Sequence, residues 1–355
     1  MELSPEIKAQ LEEQKKNCIF CKIIKGEIES KKVYSDDIIL GILDINPCVK
    51  GHMLLLPKEH YPILPYLPPE TFRHMFGVMP KIIGALKKAM ITTGANVFIA
   101  NGGVAGQQSP HFLIHLLPRE KGDGVDNFAF DERKDIDKTK QEQATGMLAH
   151  NIPAMMRNHF MRNPVKWLTK TPKTADYLKD IKEKQKVIYE DNKVLVVIPE
   201  NPQCTGHVEI FSNEEESQFE NLSAESATHM FSTASYCATA VFEGLGAHGS
   251  NIILKTGQSQ DNADGRLSIH VLPRFQDDGL DLLCKPMEPK PNLDEIASRI
   301  RDEMFMVEYS LKEKKKPEVI DLDKNVIDLS KKKKNSPEEP KEEIDEAIKK
   351  IKGDI

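Results

Sequence analysis

The sequence predicts an α+β fold built twice, each copy an antiparallel sheet of about five strands with one long helix packed on a face. Three observations predict it. Short apolar runs (residues 33–44, 53–56, 96–101 and 111–116) read as strands and are separated by turn residues such as Asn46-Pro47 and Gly51. One stretch, 68–90, repeats Phe72, Met75, Phe76, Met79, Ile82, Ile83 and Leu86 at helical spacing after a Pro68-Pro69-Glu70 start. The same order of elements then returns 155 residues later.

The repeat holds one register without net insertion. Tyr34 meets Tyr189, Asn46-Pro47 meets Asn201-Pro202, and Gly51-His52 meets Gly206-His207. His74-Met75-Phe76 meets His229-Met230-Phe231, Gly94 meets Gly249, Asn96 meets Asn251 and Gly102 meets Gly257. His115 and Pro118-Arg119 meet His270 and Pro273-Arg274. Around the copies, residues 2–16 read as a polar helix, and Pro80 should kink or divide the helix that contains it. A polar connector holds a helix around 138–163, and a further helix is expected over 293–311. The boundaries are 17–122 for copy one, 123–185 for a helical connector, 186–290 for copy two and 291–355 for a helix and charged tail.

Composition excludes several classes. The 355 residues are 39% hydrophobic and 29% charged, which supports real cores together with polar extensions. No run of about 18 apolar residues exists, so no membrane span is expected. A net charge of −6 without a basic folded stretch argues against general nucleic-acid binding. Six cysteines in so long a chain do not form a disulfide framework and fit a reducing cytoplasm. Residues 312–355, rich in Lys, Glu, Asp and Pro, are expected to stay disordered apart from a short helix near 342–351. A solvated tail is the simplest reading, and docking of a protein partner is the alternative.

Cys18 and Cys21 form a C-x-x-C, which fits either two buried thiols or half of a zinc site; zinc needs four ligands. Residues 106–119 run Gly-Gln-Gln-Ser-Pro-His-Phe-Leu-Ile-His-Leu-Leu-Pro-Arg, and strand alternation puts His111, Leu113 and His115 on one face. This stretch resembles the signature of the histidine-triad (HIT) superfamily, in which a strand reads His-x-His-x-His, with x apolar, before a Pro-Arg end. The match covers Gly106-Gln107, His111, His115 and Pro118-Arg119; the middle position is Leu113. Residues 18–28 are similar to the opening of many HIT proteins.

The resemblance implies an intramolecular pseudo-dimer, because HIT proteins commonly pair two sheets across a two-fold axis. It implies a structural zinc in copy one, held by Cys18, Cys21, His60 and His111; the aligned residues of copy two are Glu215 and Arg266. It also implies a nucleoside monophosphate or related nucleotide as ligand. Asp44 and Asn46 would border the nucleoside, with Asp44 on the ribose, and Ile24 and Ile42 would line the base. Asn101, Gln107, Ser109 and His115 would lie at the phosphate, with His115 as phosphate stabiliser. The family's nucleophile is the middle histidine, and here that position is Leu113 in copy one and Ser268 in copy two. Two residues apart on one strand, Ser268 and His270 should have Cβ atoms roughly 6–7 Å apart, too far for a default Ser-His pair. In copy two Pro199 replaces Asp44, and the turn from Asp261 to Asp264 is acidic, which disfavours a phosphate there. His52 and His207 are expected to be hydrogen-bonded core residues.

The function expected is therefore nucleotide binding without covalent nucleotidyl-histidine chemistry. The alternatives are a HIT-type hydrolase or transferase acting on nucleoside phosphates or phosphoramidates, and a structural or interaction scaffold.

Overall fold

The computed structural model describes residues 12–216 and 218–304. Residues 12–17 are helical; the start of the polar helix, the charged tail and its short helix lie outside the described residues. Copy one runs α1 (Ile19–Lys25), β1 (Lys32–Ser35), β2 (Ile39–Leu43), β3 (Met53–Pro57), α2 (Pro69–Met90), β4 (Gly94–Asn101) and β5 (Ile114–Arg119). Next come α3 (Lys138–Arg162) and α4 (Lys179–Lys184). Copy two follows with β6 (Lys186–Glu190), β7 (Val194–Ile198), β8 (Val208–Ser212), α5 (Ala224–Leu245), β9 (Gly249–Gly257) and β10 (Ser268–Arg274), and then α6 (Leu293–Glu303).

The five strands of each copy join into one ten-stranded antiparallel sheet, ordered β1-β2-β3-β5-β4-β9-β10-β8-β7-β6. The seam is β4 against β9, where Phe98 pairs with Ile253, its own counterpart 155 residues on. A pseudo-two-fold axis therefore passes through that pair. On one face of the sheet α2 and α5 pack together, with Phe76 stacked on its counterpart Phe231 at 4.4 Å between ring centroids. The pseudo-dimer read from the sequence is thus the architecture observed.

Two local expectations change. The apolar run 33–44 is a hairpin of two strands, because Asp36 turns the chain by accepting from the amides of Ile38 and Ile39, both at 2.8 Å. Pro80 does not divide α2, which runs unbroken for 22 residues. Proline removes one backbone bond there, but Phe76, Met79, Ile82 and Ile83 are fully buried around it and hold the helix.

The segments that follow each copy cross to the other. α3 packs on α5 and β6 of copy two, burying Ala144, Leu148, Ile152 and Met156. α6 packs on α2 and β1 of copy one, burying Ile296, Ala297 and Ile300.

Candidate functional site

Two side-chain constellations flank the loop into β5. His111 precedes the strand rather than lying in it, so its ring and that of His115 serve different sites. His111 Nδ1 lies 3.5 Å from Cys18 Sγ and 3.6 Å from Cys21 Sγ, while His60 Nδ1 lies 3.3 Å from Cys21 Sγ. The four ligand atoms all fall within 4.8 Å of one another. Tetrahedral zinc with ordinary Zn–S and Zn–N bonds requires S···N separations of roughly 3.5 Å, so the set fits the ion. His111 Nε2 donates to the carbonyl of Pro57 at 2.9 Å, which leaves Nδ1 as the lone-pair atom facing the thiols. The aligned residues of copy two are spent otherwise: Glu215 accepts from the amide of Asp176, and Arg266 pairs with Asp264.

The second constellation is a chain of histidines whose tautomers are fixed by the backbone. The amide of Cys48 donates to His52 Nδ1 at 3.4 Å, so His52 carries its proton on Nε2. That proton is donated to His115 Nδ1 at 2.9 Å, and His115 therefore carries its own proton on Nε2. Burial holds both imidazoles down at about 3, so neither is charged near neutral pH. His115 is half-buried, and its N–H has no described protein acceptor. Asp44, 3.8 Å from His52 Nδ1, completes a three-residue group with metal-like spacing. Copy two keeps the same histidine contact with proline at the Asp44 position, so an N–H···N bond accounts for it.

Leu113 stands at the middle position between His111 and His115. It packs with Ile23, Ile24, Leu40, Ile42 and Leu54, so it extends the apolar wall expected to line a base. Asp44 accepts from the amide of Asn46 at 2.8 Å, and Asn46 Oδ1 accepts from Lys290 at 2.7 Å. Gln107 differs from the expectation that it offers donors. Its two amide hydrogens go to the carbonyls of Pro62 and Ser109, and its oxygen accepts from the amide of Gly102. Asn101 is buried between the amide of Leu64 and the hydroxyl of Ser250. Ser109 Oγ accepts from the amide of His111 at 3.1 Å, which leaves its hydroxyl hydrogen to donate.

In copy two the same chain runs from the amide of Gln203 to His207 Nδ1 and from His207 Nε2 to His270 Nδ1, both at 3.1 Å. Ser268 Oγ lies 3.1 Å from His270 Nε2, so the two residues do pair, contrary to the expectation from Cβ spacing. The imidazole reaches back along the strand and closes the gap. The relay makes His270 Nε2 the donor, however, so it cannot take the serine proton. The serine in turn bonds Glu209, whose carboxyl burial pushes up to about 7. Phe130, from the segment after copy one, meets the His270 ring edge-on at 4.8 Å, and Lys255 Nζ lies 4.0 Å from the Phe130 centroid. Phe130 of the connector and Lys255 of copy two thus pack beside the histidine pair of copy two. Asp261 of the acidic turn faces Arg119 at 2.9 Å rather than the pocket.

Sequence reasoning missed the partners of several repeated residues. His74, Asp36 and Tyr34 form a hydrogen-bonded set, and His229, Asp191 and Tyr189 form its copy. Arg119 and Arg274 of the Pro-Arg ends bond Asn96 and Asp123, and Asn251 and Asp278, tying each following loop to the sheet. The spacing of 155 applied to Asp36 and Asp123 would have found them. No sequence signal marked Phe130, Glu209 or Lys255.

Comparison with known proteins finds related chains. The profile described as HIT domain matches residues 25–122 and 181–277. An uncharacterised HIT-like protein of Methanocaldococcus jannaschii is 43% identical over 126 residues, 35% of this chain and 97% of its own. A protein of Arabidopsis thaliana described as adenylylsulfatase HINT3 is 44% identical over 107 residues, 30% of this chain and 54% of its own. One of Candida albicans described as an adenosine 5'-monophosphoramidase is 37% identical over 108 residues, 29% of this chain and 71% of its own.

Proposed function

Because the chain belongs to the HIT-domain family, we propose that it binds a nucleoside monophosphate or a related nucleotide in copy one and has given up the covalent nucleotidyl-histidine step in both copies. The observation that carries this reading is the His52–His115 relay, which leaves a neutral N–H on half-buried His115, two residues from Leu113, with no described protein acceptor. An N–H donor stabilises a phosphate oxygen, whereas leucine offers no lone pair to attack phosphorus. Ser109 would add a hydroxyl donor, Asp44 and Asn46 would border the nucleoside, and the wall around Leu113 would take the base. Copy two, sealed by Phe130 and Lys255, would serve as a structural partner.

Cys18, Cys21, His60 and His111 would hold zinc as a structural clip. The metal would supply fold stability, and no step of ligand binding would pass through it. All six cysteines are free, which supports a reducing compartment such as the cytoplasm. Among the described residues no helix is long and apolar enough to cross a membrane.

The test is calorimetric titration with AMP, together with release of AMP from an adenosine phosphoramidate. The choice of adenosine ligands follows the Arabidopsis and Candida relatives, described as an adenylylsulfatase and an adenosine 5'-monophosphoramidase. Wild type should bind AMP without turnover, His115→Ala should lose about tenfold or more in affinity, and Leu113→His should gain turnover. Turnover by wild type that vanishes in His115→Ala would overturn the non-covalent reading in favour of direct attack by water. No AMP binding by any variant would leave an interaction scaffold as the function.

A further inference from the structure

A cavity of about 690 Å³ lies at one end of the seam, and both copies build it. Copy one supplies Lys87 from the last turn of α2 and Thr92 from the turn into β4. Copy two supplies Glu215 and Gln218 from the segment after β8, and Asp264 and Arg266 from the loop before β10. The backbones meet closely beside it. Gly94 pairs with Gly257, Thr93 Oγ1 donates to the carbonyl of Gln258 at 2.7 Å, and a Cβ on Gly94 would fall 2.7 Å from that same oxygen. The site therefore exists only where the two copies are joined.

The repeat accounts for its residue types. Glu215 and Arg266 are the counterparts of His60 and His111, which copy one turns toward Cys18 and Cys21. Copy two has Lys173 and Asp176 in place of the two thiols, so no zinc-type set forms, and Glu215 and Arg266 border open space instead.

The lining carries two cations, Lys87 and Arg266, and two carboxylates, Glu215 and Asp264, so their charges cancel. Several of their hydrogen-bonding groups have no described protein partner. Lys87 Nζ donates to Gln218 Oε1 at 3.2 Å and to Glu220 Oε1, which leaves one of its three hydrogens. Arg266 meets Asp264 through Nε at 3.6 Å, an ion pair too long for a hydrogen bond, and neither Nη group has a described acceptor. The buried Thr92 hydroxyl has no partner either. On the acceptor side, Glu215 gives one oxygen to the amide of Asp176 and Asp264 gives one to the amide of Arg266, both at 3.2 Å. Each keeps a second oxygen. The guanidinium fork fits a carboxylate, and the two free carboxylate oxygens fit an ammonium. A ligand of one sign alone would set like charges against each other in so mixed a lining.

We propose that this cavity binds a small zwitterion, the chemical class of free amino acids and short peptides. Its carboxylate would take the Arg266 Nη hydrogens and the Thr92 hydroxyl, and its ammonium would lie between Glu215 and Asp264. The volume falls within the range of about 300–1,000 Å³ usual for small-molecule sites. The site uses none of the residues around His115, so it stands whether or not copy one binds a nucleotide.

The test is NMR titration of the full chain with leucine and with the dipeptide alanyl-alanine. Each probe is run beside two analogues that lack one charge, the N-acetylated form and the C-terminal amide. At least one zwitterion should bind, and removal of either charge should weaken it by about tenfold or more. Arg266→Gln should weaken the zwitterion by a similar factor. Thr92→Val, which keeps the shape and alters no charge, should weaken it several-fold without lowering the melting temperature, because the hydroxyl it removes is unpaired in the free protein. Binding of neither zwitterion, or equal binding of either singly charged analogue, would overturn the ligand class. Zwitterion binding that survives both Arg266→Gln and Thr92→Val would lie elsewhere on the chain and overturn the site.

Discussion

At the scale of single residues, the recurring device is a buried histidine held neutral with a fixed direction of donation. Burial keeps His52, His115 and His207 at about 3, against an ordinary value of 6.5. Between those values the folded chain binds fewer protons than the unfolded chain, so stability is full above pH 6.5 and is lost as pH falls toward 3. Glu209, raised by burial to about 7 from 4.5, acts oppositely, stabilising below pH 4.5 and losing that stability as pH rises through 7. The histidines outnumber it, so the net expectation is acid sensitivity. Each contributes a slope of about 1.4 kcal/mol per pH unit within its window. Denaturant unfolding from pH 6 to pH 4 should therefore show a steep loss, and His207→Gln should lower the slope by about one proton's worth. An unchanged slope would mean that His207 is charged or accessible in the folded chain. Glu209→Gln should remove the opposing slope, so the loss of stability between pH 6.5 and pH 4.5 should steepen by about one proton's worth.

At the scale of elements, the same logic separates what holds the site from what forms it. α1 begins at the C-x-x-C and ends at Gly26, whose left-handed φ of 81° closes the helix. The Cys18, Cys21, His60 and His111 set joins this short helix to the segment after β3 and to the loop before β5, beside the apolar packing of Ile23 with Leu54 and Leu56. If zinc occupies it, chelation should lower the melting temperature by several degrees and speed amide exchange in residues 18–28 and 107–113 while sparing copy two. Equal loss of protection in both copies would argue against a local clip. The seam has its own constraint. Gly257 sits at φ +67°, and a Cβ there would lie 2.1 Å from the carbonyl oxygen of Thr93. Gly257→Ala should cost about 2 kcal/mol or more, because strain and a backbone clash add. Denaturant titration checks this, and a neutral result would mean that the seam can open locally.

At the scale of the whole molecule, the two copies are parts of one folding unit. They share a ten-stranded sheet, and each sends its following helix to the other, α3 to copy two and α6 to copy one. Calorimetry should show a single transition for the described body rather than two. Phe76→Ala, which empties the stacked pair on the axis, should destabilise the whole by about 3–5 kcal/mol. Two separated transitions, or loss confined to copy one, would show that the halves are independent. The exchange also accords with the proposed asymmetry between the copies. The segment after copy one drops Phe130 onto His207 and His270, whereas the segment after copy two packs Leu280 and Leu282 into the cluster of Phe98, and His115 stays half-buried. Once one sheet has been duplicated within a chain, one pocket can turn into core while the other stays open.

The sequence alone determined what is local or repeated. Strand alternation, the helical period of 68–90 and the spacing of 155 residues carry the α+β class and the duplication, and the motifs themselves mark the Cys-x-x-Cys, His111 and His115. These signals survive because periodicity and repetition are properties of the chain itself. Tertiary structure decided whatever depends on partners distant in sequence. It turned His111 toward the cysteines and His115 toward His52, spent Gln107 on the carbonyls of Pro62 and Ser109, and paired Ser268 with a histidine that only donates. It also brought Phe130, Glu209 and Lys255 together from three separate segments. A side chain's role is set by which hydrogen-bonding and apolar neighbours remain after water is excluded, and that neighbourhood exists only once the chain has folded.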